Sequence, residues 1–193
     1  LDFASASAHK LGSLNNFGFL YAKDGDVEPL LLGGGQENGL RSGTVNVAAA
    51  VSLAKALRLS HERIASAKNN HKEFKKLIID EFSKYEHIVI NSPFSDKFVD
   101  SIINISLPKI KGEAIVNALN DRGIMVSTTS ACSSKTFHLN EALYARGLSK
   151  ENIEGSIRVS FSYETTRKEV ETFIEVLIDE YNKKFKEVIE SGI

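Results

Sequence analysis

Apolar residues recur with a helical period over two long stretches of the chain. From residue 46 to about residue 84, Ala, Leu, Lys, Glu and Arg dominate, and neither proline nor glycine interrupts them. Because this length exceeds that of a typical globular helix, we expect either a kink or a passage between two domains. A second helix is predicted after Thr166, where Thr166 and Glu169 form a capping box. Its apolar stripe consists of Val170, Phe173, Ile174, Leu177, Ile178 and Tyr181.

Short apolar runs and period-two alternation predict strands in the remainder of the chain. The predicted strands lie at residues 17–21, 30–32, 87–90, 103–107, 123–126 and 156–161. We expect the first to be buried, and the strand at 103–107 to be half-buried with Asn104 and Ser106 on its polar side. Short helices are predicted at 112–120 and 139–146, the latter ending at a Gly147 cap.

The order of these elements indicates two parts. After residue 85 strands and helices follow one another as in a compact α+β domain, whereas residues 1 to about 60 resemble the end of a different domain. The chain begins at Leu1 in mid-pattern, so we expect a fragment of a longer protein.

Composition narrows the classes of function. The 42% hydrophobic residues among 193 can form a substantial core, and 24 basic residues nearly balance 25 acidic ones. No basic field therefore indicates a nucleic-acid partner. No apolar run approaches the ~18 residues of a membrane span, so no membrane association is expected. One cysteine excludes an internal disulfide framework and fits a reducing compartment, here taken as the cytoplasm.

The single cysteine, Cys132, lies in a segment with unusual composition. Seven of the eleven residues from 126 to 136 are Ser or Thr, and their hydroxyls compete with helical hydrogen bonding. This pattern predicts an exposed loop that presents a thiol for chemistry. The alternative is a chance cysteine that behaves as a small hydrophobic residue.

Three further features combine residue types that suit ligand binding. Residues 33–44 contain five glycines, together with the phosphate-binding groups of Arg41, Ser42 and Thr44, and precede a helix whose N-terminus favours an anion. Lys10 follows small residues and is of the type that forms Schiff bases. Arg158 lies on the polar face of a strand and can hold a carboxylate in a bidentate fork. The alternatives are a flexible turn, a solvated lysine and a surface salt bridge.

Four motifs in order carry a resemblance to a known family. They are Ser7–Lys10, Gly33–Glu37 with Arg41–Thr44, Ser130–Cys132 and Ser156–Ser160. In this order they resemble cysteine desulfurases, which are pyridoxal 5'-phosphate enzymes of the class V aminotransferase superfamily. The resemblance covers the whole chain as the C-terminal half of such an enzyme. It implies an α/β fold: the C-terminal part of a PLP-dependent transferase large domain (fold type I) in residues 1–60, then a small α+β domain in residues 61–193.

The resemblance implies a role for each cofactor residue. Lys10 is the Schiff-base lysine, while Ser7 and His9 contact the phosphate of pyridoxal 5'-phosphate. A satisfied core histidine is the alternative for His9. Thr44 reaches the phosphate bound in the other subunit of a homodimer. No metal ligands are expected.

The resemblance also implies the reaction. Arg158 binds the α-carboxylate of L-cysteine, and Cys132 receives the sulfur as a persulfide, with L-alanine as the other product. A scaffold or carrier protein, for example in iron–sulfur cluster assembly, would accept the sulfur. We also expect the isolated chain to be inactive, with residues 1 to about 45 poorly ordered or dependent on a partner chain.

Two departures and two alternatives remain. The family usually reads Gly-Pro-Lys-Gly after the lysine, where Gly12-Ser13-Leu14-Asn15-Asn16 stands here, and Ser-Ser-Gly where Ser127-Thr128-Thr129 stands. The first alternative function is a selenocysteine lyase or a class V aminotransferase. The second is a non-catalytic domain that dimerises or binds partners.

Overall fold

The computed structural model describes residues 1–25, 27–128 and 141–190, with side chains up to residue 186. The chain divides into two compact units, Leu1–Ile64 and Ala65–Ile193. The predicted long helix is confirmed as α1 (Val47–Phe82), a 36-residue helix that contributes to both units. Each unit is described by itself below.

The first unit contains an antiparallel pair of strands, β1 (Phe3–Ser7) and β2 (Gly18–Ala22), in register from Phe3 opposite Ala22 to Ser7 opposite Gly18. The strand predicted at 17–21 therefore forms, but the prediction that it is buried is wrong, since Phe19 is 42% and Leu20 is 57% exposed. In the part of the unit that the structure describes, this sheet has two strands, and a sheet of this size has little stability of its own.

The strand predicted at residues 30–32 is also wrong. These residues form a bend with Leu30 95% and Leu32 82% exposed, and the Leu31 carbonyl accepts a hydrogen bond from the Ser42 amide at 3.2 Å. Three consecutive leucines suit a strand only where a neighbouring strand pairs with them. Here the backbone pairs with the glycine-rich segment instead.

In its described residues, the second unit forms a four-stranded antiparallel sheet in the order β3-β4-β6-β5. Its strands are β3 (Val89–Ile90), β4 (Ile102–Ser106), β5 (Ser127–Thr128) and β6 (Ser156–Ser160). Its helices after α1 are α2 (Gly112–Asp121), α3 (Glu141–Ala145), α4 (Lys150–Glu154) and α5 (Arg167–Glu190). The strand predicted at 123–126 is displaced to β5, because α2 and its Gly123 turn take up the preceding residues.

One face of this sheet forms the hydrophobic core with the helices. The core combines Phe74, Ile78 and Phe82 of α1, Ile103 and Ile105 of β4, Ile157 and Val159 of β6, and Val170, Phe173 and Leu177 of α5. Each such side chain contributes about 1.5–3 kcal/mol when fully buried. The capping box of α5 is confirmed: the Thr166 amide donates to Glu169 at 2.7 Å, and the Glu169 amide donates to the Thr166 hydroxyl at 3.3 Å. The Gly147 cap of α3 is also confirmed by its positive φ of 79°.

The polar side chains of β4 are more buried than predicted. Asn104 is 7% and Ser106 is 0% exposed, so the strand is buried on both faces rather than half-buried. The Asn91 amide donates to Asn104 Oδ1 and to Ser106 Oγ, both at 2.6 Å, and the Ser106 hydroxyl donates to the Asn152 carbonyl. Polar side chains tolerate burial when their hydrogen bonds are satisfied in this way.

Tyr181, in contrast, has a buried hydroxyl without a hydrogen-bond partner among the described residues. This burial raises the pKa of Tyr181. We expect Tyr181→Phe to raise the free energy of unfolding by about 1 kcal/mol, because an unsatisfied buried hydroxyl is removed while its ring remains stacked on Phe185. Urea unfolding measures the difference.

Tyr144→Phe is the matched control, since Tyr144 is 67% exposed and the same atom is removed in water. Its effect should stay within about 0.5 kcal/mol. A loss of stability in Tyr181→Phe of more than about 1 kcal/mol would show that the hydroxyl has a favourable partner.

Candidate functional site

The end of β1 turns the proposed cofactor residues toward the surface. A 3-10 turn, Ala8–Leu11, follows Ser7, and Ala8 is fully buried while Ser7, His9 and Lys10 are exposed. The Ala8 amide donates to the Phe17 carbonyl at 2.9 Å, which fixes the turn against the start of β2. The alternative of a core histidine at His9 is therefore wrong, because its side chain faces the surface.

Two glycines allow this tight arrangement. Gly12 has a φ of 82°, and its amide donates to the His9 carbonyl, so it reverses the chain two residues after Lys10. At Gly18 a Cβ would lie 2.5 Å from the carbonyl oxygen of Ala6 on the neighbouring strand. A larger residue at Gly18 would push β1 and β2 apart next to Ser7.

An open depression of about 590 Å³ lies beside this turn. It is lined by Ser7, His9, Asn15, Asn16, Phe17 and Gly18, and Lys10 is not among the lining residues. The hydroxyl, imidazole and amide groups of this open depression can all donate hydrogen bonds. Since no carboxylate lines the depression, this donor set fits the phosphate of pyridoxal phosphate.

Asn15 and Asn16 were missed as lining residues by the sequence reasoning, which treated them only as a departure from a family motif. Asn16 has a φ of 58°, a left-handed conformation that asparagine tolerates better than most residues. The Asn-Asn pair between an apolar turn and a strand was the available signal for a turn with two exposed amides.

The glycine-rich segment, residues 33–44, forms a loop closed by its own side chains. Gln36 Oε1 accepts a hydrogen bond from the Gly43 amide at 3.0 Å, and the Arg41 guanidinium donates to the Ser42 carbonyl. Gly43 has a φ of 127°, and a Cβ there would lie 2.6 Å from the Arg41 guanidinium. Thr44 is exposed at the end of this loop.

The N-terminus of α1 follows this loop and is already capped. Asn46 Oδ1 accepts a hydrogen bond from the Ala49 amide at 3.1 Å, which satisfies one of the free donors of the first helical turn. The sequence predicted an anion at this end of the helix. The cap occupies one backbone amide of the first helical turn and leaves others for a ligand. Thr44 lies two residues before Asn46 in sequence.

In the second unit, Arg158 projects from β6 on the polar side of the sheet. It lies opposite Asn104 of β4 and Ser127 of β5, and its side chain is exposed. The Arg158 Nη2 donates to Ser127 Oγ at 3.1 Å. Within residues 1–25, 27–128 and 141–186, no carboxylate forms an ion pair with Arg158, so the alternative of a surface salt bridge finds no support there.

Cys132 and the serine-rich segment around it lie outside the described residues. In sequence, Thr128 at the end of β5 precedes Cys132 by four residues. The strand that pairs with Arg158 is therefore the one that leads to the cysteine.

The described residues contain neither a candidate metal site nor a membrane-spanning helix. No group of three or more His, Cys, Asp or Glu side chains there is placed to hold a metal ion. No helix in the same part of the chain has both the length and the apolar character needed to cross a membrane.

Comparisons with known proteins agree on one family. The sequence model of the aminotransferase class-V family matches residues 1–173. A NifS/IcsS protein homolog of Lactobacillus delbrueckii subsp. bulgaricus is 36% identical over 100% of this chain and 50% of its own length. The cysteine desulfurase IscS 1 of Archaeoglobus fulgidus is 33% identical over 91% of this chain and 46% of its own length.

A solved structure agrees as well. A NifS-like protein superposes with a TM-score of 0.80 at 30% identity, covering 96% of this chain and 47% of that one. The predicted α/β fold is confirmed by this likeness. The chain spans about half the length of the curated relatives it matches.

Proposed function

The chain belongs to the aminotransferase class-V family, whose cysteine desulfurase members depend on pyridoxal phosphate, and on this premise we propose that it carries the cofactor lysine and the sulfur-accepting cysteine of a cysteine desulfurase. The reaction converts L-cysteine to L-alanine and leaves a persulfide on the enzyme. Residues 1–60 are proposed as part of the cofactor-binding large domain and residues 61–193 as the small domain.

The first unit supplies the cofactor contacts in this proposal. Lys10 holds the cofactor covalently through Nζ, and the Ser7 hydroxyl and His9 imidazole bind its phosphate from the depression that they line. Thr44, exposed on the closed glycine-rich loop, binds the phosphate in the second subunit of a homodimer. When bound, pyridoxal phosphate supplies an electron sink that acidifies the substrate Cα–H and weakens its C–S bond. Lys10 Nζ takes that Cα proton.

Arg158 carries the proposal for the substrate. Its guanidinium is exposed on β6 and, among the described side chains, donates to a neutral hydroxyl rather than to a carboxylate. A guanidinium in this state presents its other N–H donors to an incoming carboxylate, which it binds in a bidentate fork. The α-carboxylate of L-cysteine is the group that this receptor fits.

Cys132 accepts the sulfur. Its thiolate attacks the sulfur of the substrate, the substrate C–S bond breaks, and an S–S bond forms on Cys132. The electron pair of the broken bond stays with the substrate Cβ, which gains a proton, and Lys10 Nζ returns to Cα the proton that it took, so that L-alanine is formed. The step consumes no external oxidant or reductant, and a sulfur-acceptor protein then removes the terminal sulfur.

The experiment measures alanine formation from L-cysteine by the full-length protein with added pyridoxal phosphate. We expect Arg158→Ala to raise KM for L-cysteine about 100-fold or more, because two charge-assisted hydrogen bonds to the carboxylate are lost. Arg122→Ala is the matched control, since the half-exposed Arg122 side chain pairs with Asp179 and Glu180.

Three results would contradict the proposal. Keto-acid formation without alanine would indicate an aminotransferase, and release of selenide but not sulfide would indicate a selenocysteine lyase. Equal KM values in Arg158→Ala and Arg122→Ala would remove Arg158 from the substrate site.

A further inference from the structure

We infer that Ser127 is a positioning residue for Arg158: its hydroxyl orients the guanidinium for the substrate carboxylate without neutralising its charge. The inference rests on the proposed function of Arg158. Its geometric basis is the hydrogen bond from Arg158 Nη2 to Ser127 Oγ at 3.1 Å, between residues paired in register on neighbouring antiparallel strands.

The register makes Ser127 the fixed neighbour of Arg158. Residues directly opposite one another on antiparallel strands project from the same face of the sheet, with Cβ atoms about 4.5–5.5 Å apart. Ser127 is half-buried and short, so its hydroxyl is held close to the backbone of β5. The flexible arginine side chain gains a defined direction by donating to this fixed acceptor.

The other neighbour of Arg158 has different hydrogen-bond partners. Asn104 lies opposite Arg158 on β4, but its Oδ1 already accepts a hydrogen bond from Asn91 at 2.6 Å, and its Nδ2 donates to the Ile157 carbonyl at 3.1 Å. Asn104 is 7% exposed, so this network is shielded from water. This network links β4 to β6, whereas the Arg158 guanidinium donates to Ser127.

The neutrality of the acceptor matters because the proposed ligand is an anion. A carboxylate at residue 127 would also orient Arg158, but it would form an ion pair that competes with the α-carboxylate of the substrate. A hydroxyl occupies one of the five N–H donors of the guanidinium and leaves its charge intact. This combination suits a receptor that must bind and release a carboxylate in each turnover.

The test uses the full-length holoenzyme and three substitutions at this position. We expect Ser127→Ala to raise KM for L-cysteine about 3- to 10-fold with kcat within about twofold, because one hydrogen bond that orients Arg158 is lost. Ser127→Thr keeps the hydroxyl and should stay within about twofold of the wild type in KM. Ser127→Asp should raise KM more than Ser127→Ala does, because it adds a competing charge.

Inhibition by 3-mercaptopropionate gives a second readout that does not depend on turnover. This compound keeps the carboxylate and the thiol of L-cysteine but lacks the amino group, so it binds without attachment to the cofactor. Because its thiol is the same in every assay, a change in its inhibition constant between variants at position 127 reports a change in carboxylate binding. We expect the inhibition constant to follow the order of KM across the three variants. Ser160→Ala is the matched control, since Ser160 is an exposed serine two residues from Arg158 on the same face of β6.

The outcomes separate this inference from the function on which it rests. If Arg158→Ala raises KM while Ser127→Ala behaves as Ser160→Ala, the role of Ser127 is overturned and the proposed function stands. If Arg158→Ala leaves KM unchanged, the carboxylate site itself is wrong. If Ser127→Thr raises KM as much as Ser127→Ala does, the hydroxyl is not the orienting group. The same conclusion follows if Ser127→Asp binds the inhibitor as well as the wild type does.

Discussion

Cys132→Ser should abolish desulfuration of L-cysteine while cofactor binding continues. In the proposed function the Cys132 thiolate attacks the substrate sulfur, and a serine hydroxyl neither ionises near neutral pH nor holds a persulfide. We expect alanine formation to fall by about 10³-fold or more, with the visible absorbance of the bound cofactor unchanged. Alanine and sulfide are measured together in the full-length protein.

The persulfide itself can be located. Because this chain has one cysteine, a peptide from it that gains the mass of one sulfur atom after incubation with L-cysteine must carry that sulfur on Cys132. Ser134→Ala, a conservative change two residues away in sequence, is the control and should keep most of the activity. Near wild-type alanine formation by Cys132→Ser would show that the loop thiol is not the sulfur acceptor.

The helices of this fold could be predicted from the sequence because their signals are local. The apolar stripe of α5 and the capping box of Thr166 and Glu169 depend on residues three or four positions apart, and the structure forms both. The length of α1 was likewise apparent from an uninterrupted run of helix-favouring residues.

Burial was harder to predict because it depends on residues distant in sequence. Alternation identified β4 as a strand, but it could not distinguish a polar face in water from one that is buried and hydrogen-bonded. The partners of Asn104 and Ser106 are distant in sequence: Asn91, which donates to both, lies 13 and 15 positions away. The exposed side chains of β2 show the opposite error, since an apolar run does not reveal whether another element covers it.

In the candidate site, too, the features local in sequence were predicted and those formed by distant residues were not. The motif Ser7–Lys10 is contiguous, so one turn of structure places its side chains, and the sequence identified them together. The hydroxyl next to Arg158 comes from Ser127, 31 positions earlier, and only the pairing of β5 with β6 brings the two together. A motif search finds the arginine but not the group that orients it.

Lys10→Ala should eliminate covalent attachment of pyridoxal phosphate and reduce alanine formation by about 10³-fold or more. Lys10 is the residue proposed for the Schiff-base position, and its Nζ has two proposed tasks, holding the cofactor and taking the Cα proton. In the full-length wild type, borohydride reduction followed by peptide mapping should place the pyridoxyl group on Lys10.

Lys23→Ala is the matched control, because Lys23 is an exposed lysine that directly follows β2 in the same unit. It should keep both the visible absorbance and the alanine formation of the wild type. The Lys10 assignment depends on the mapped position, since Lys10 is exposed beside the depression that Ser7 and His9 line but is not one of its lining residues. If the pyridoxyl group is recovered on a different lysine and Lys10→Ala still binds the cofactor covalently, that other lysine is the cofactor residue.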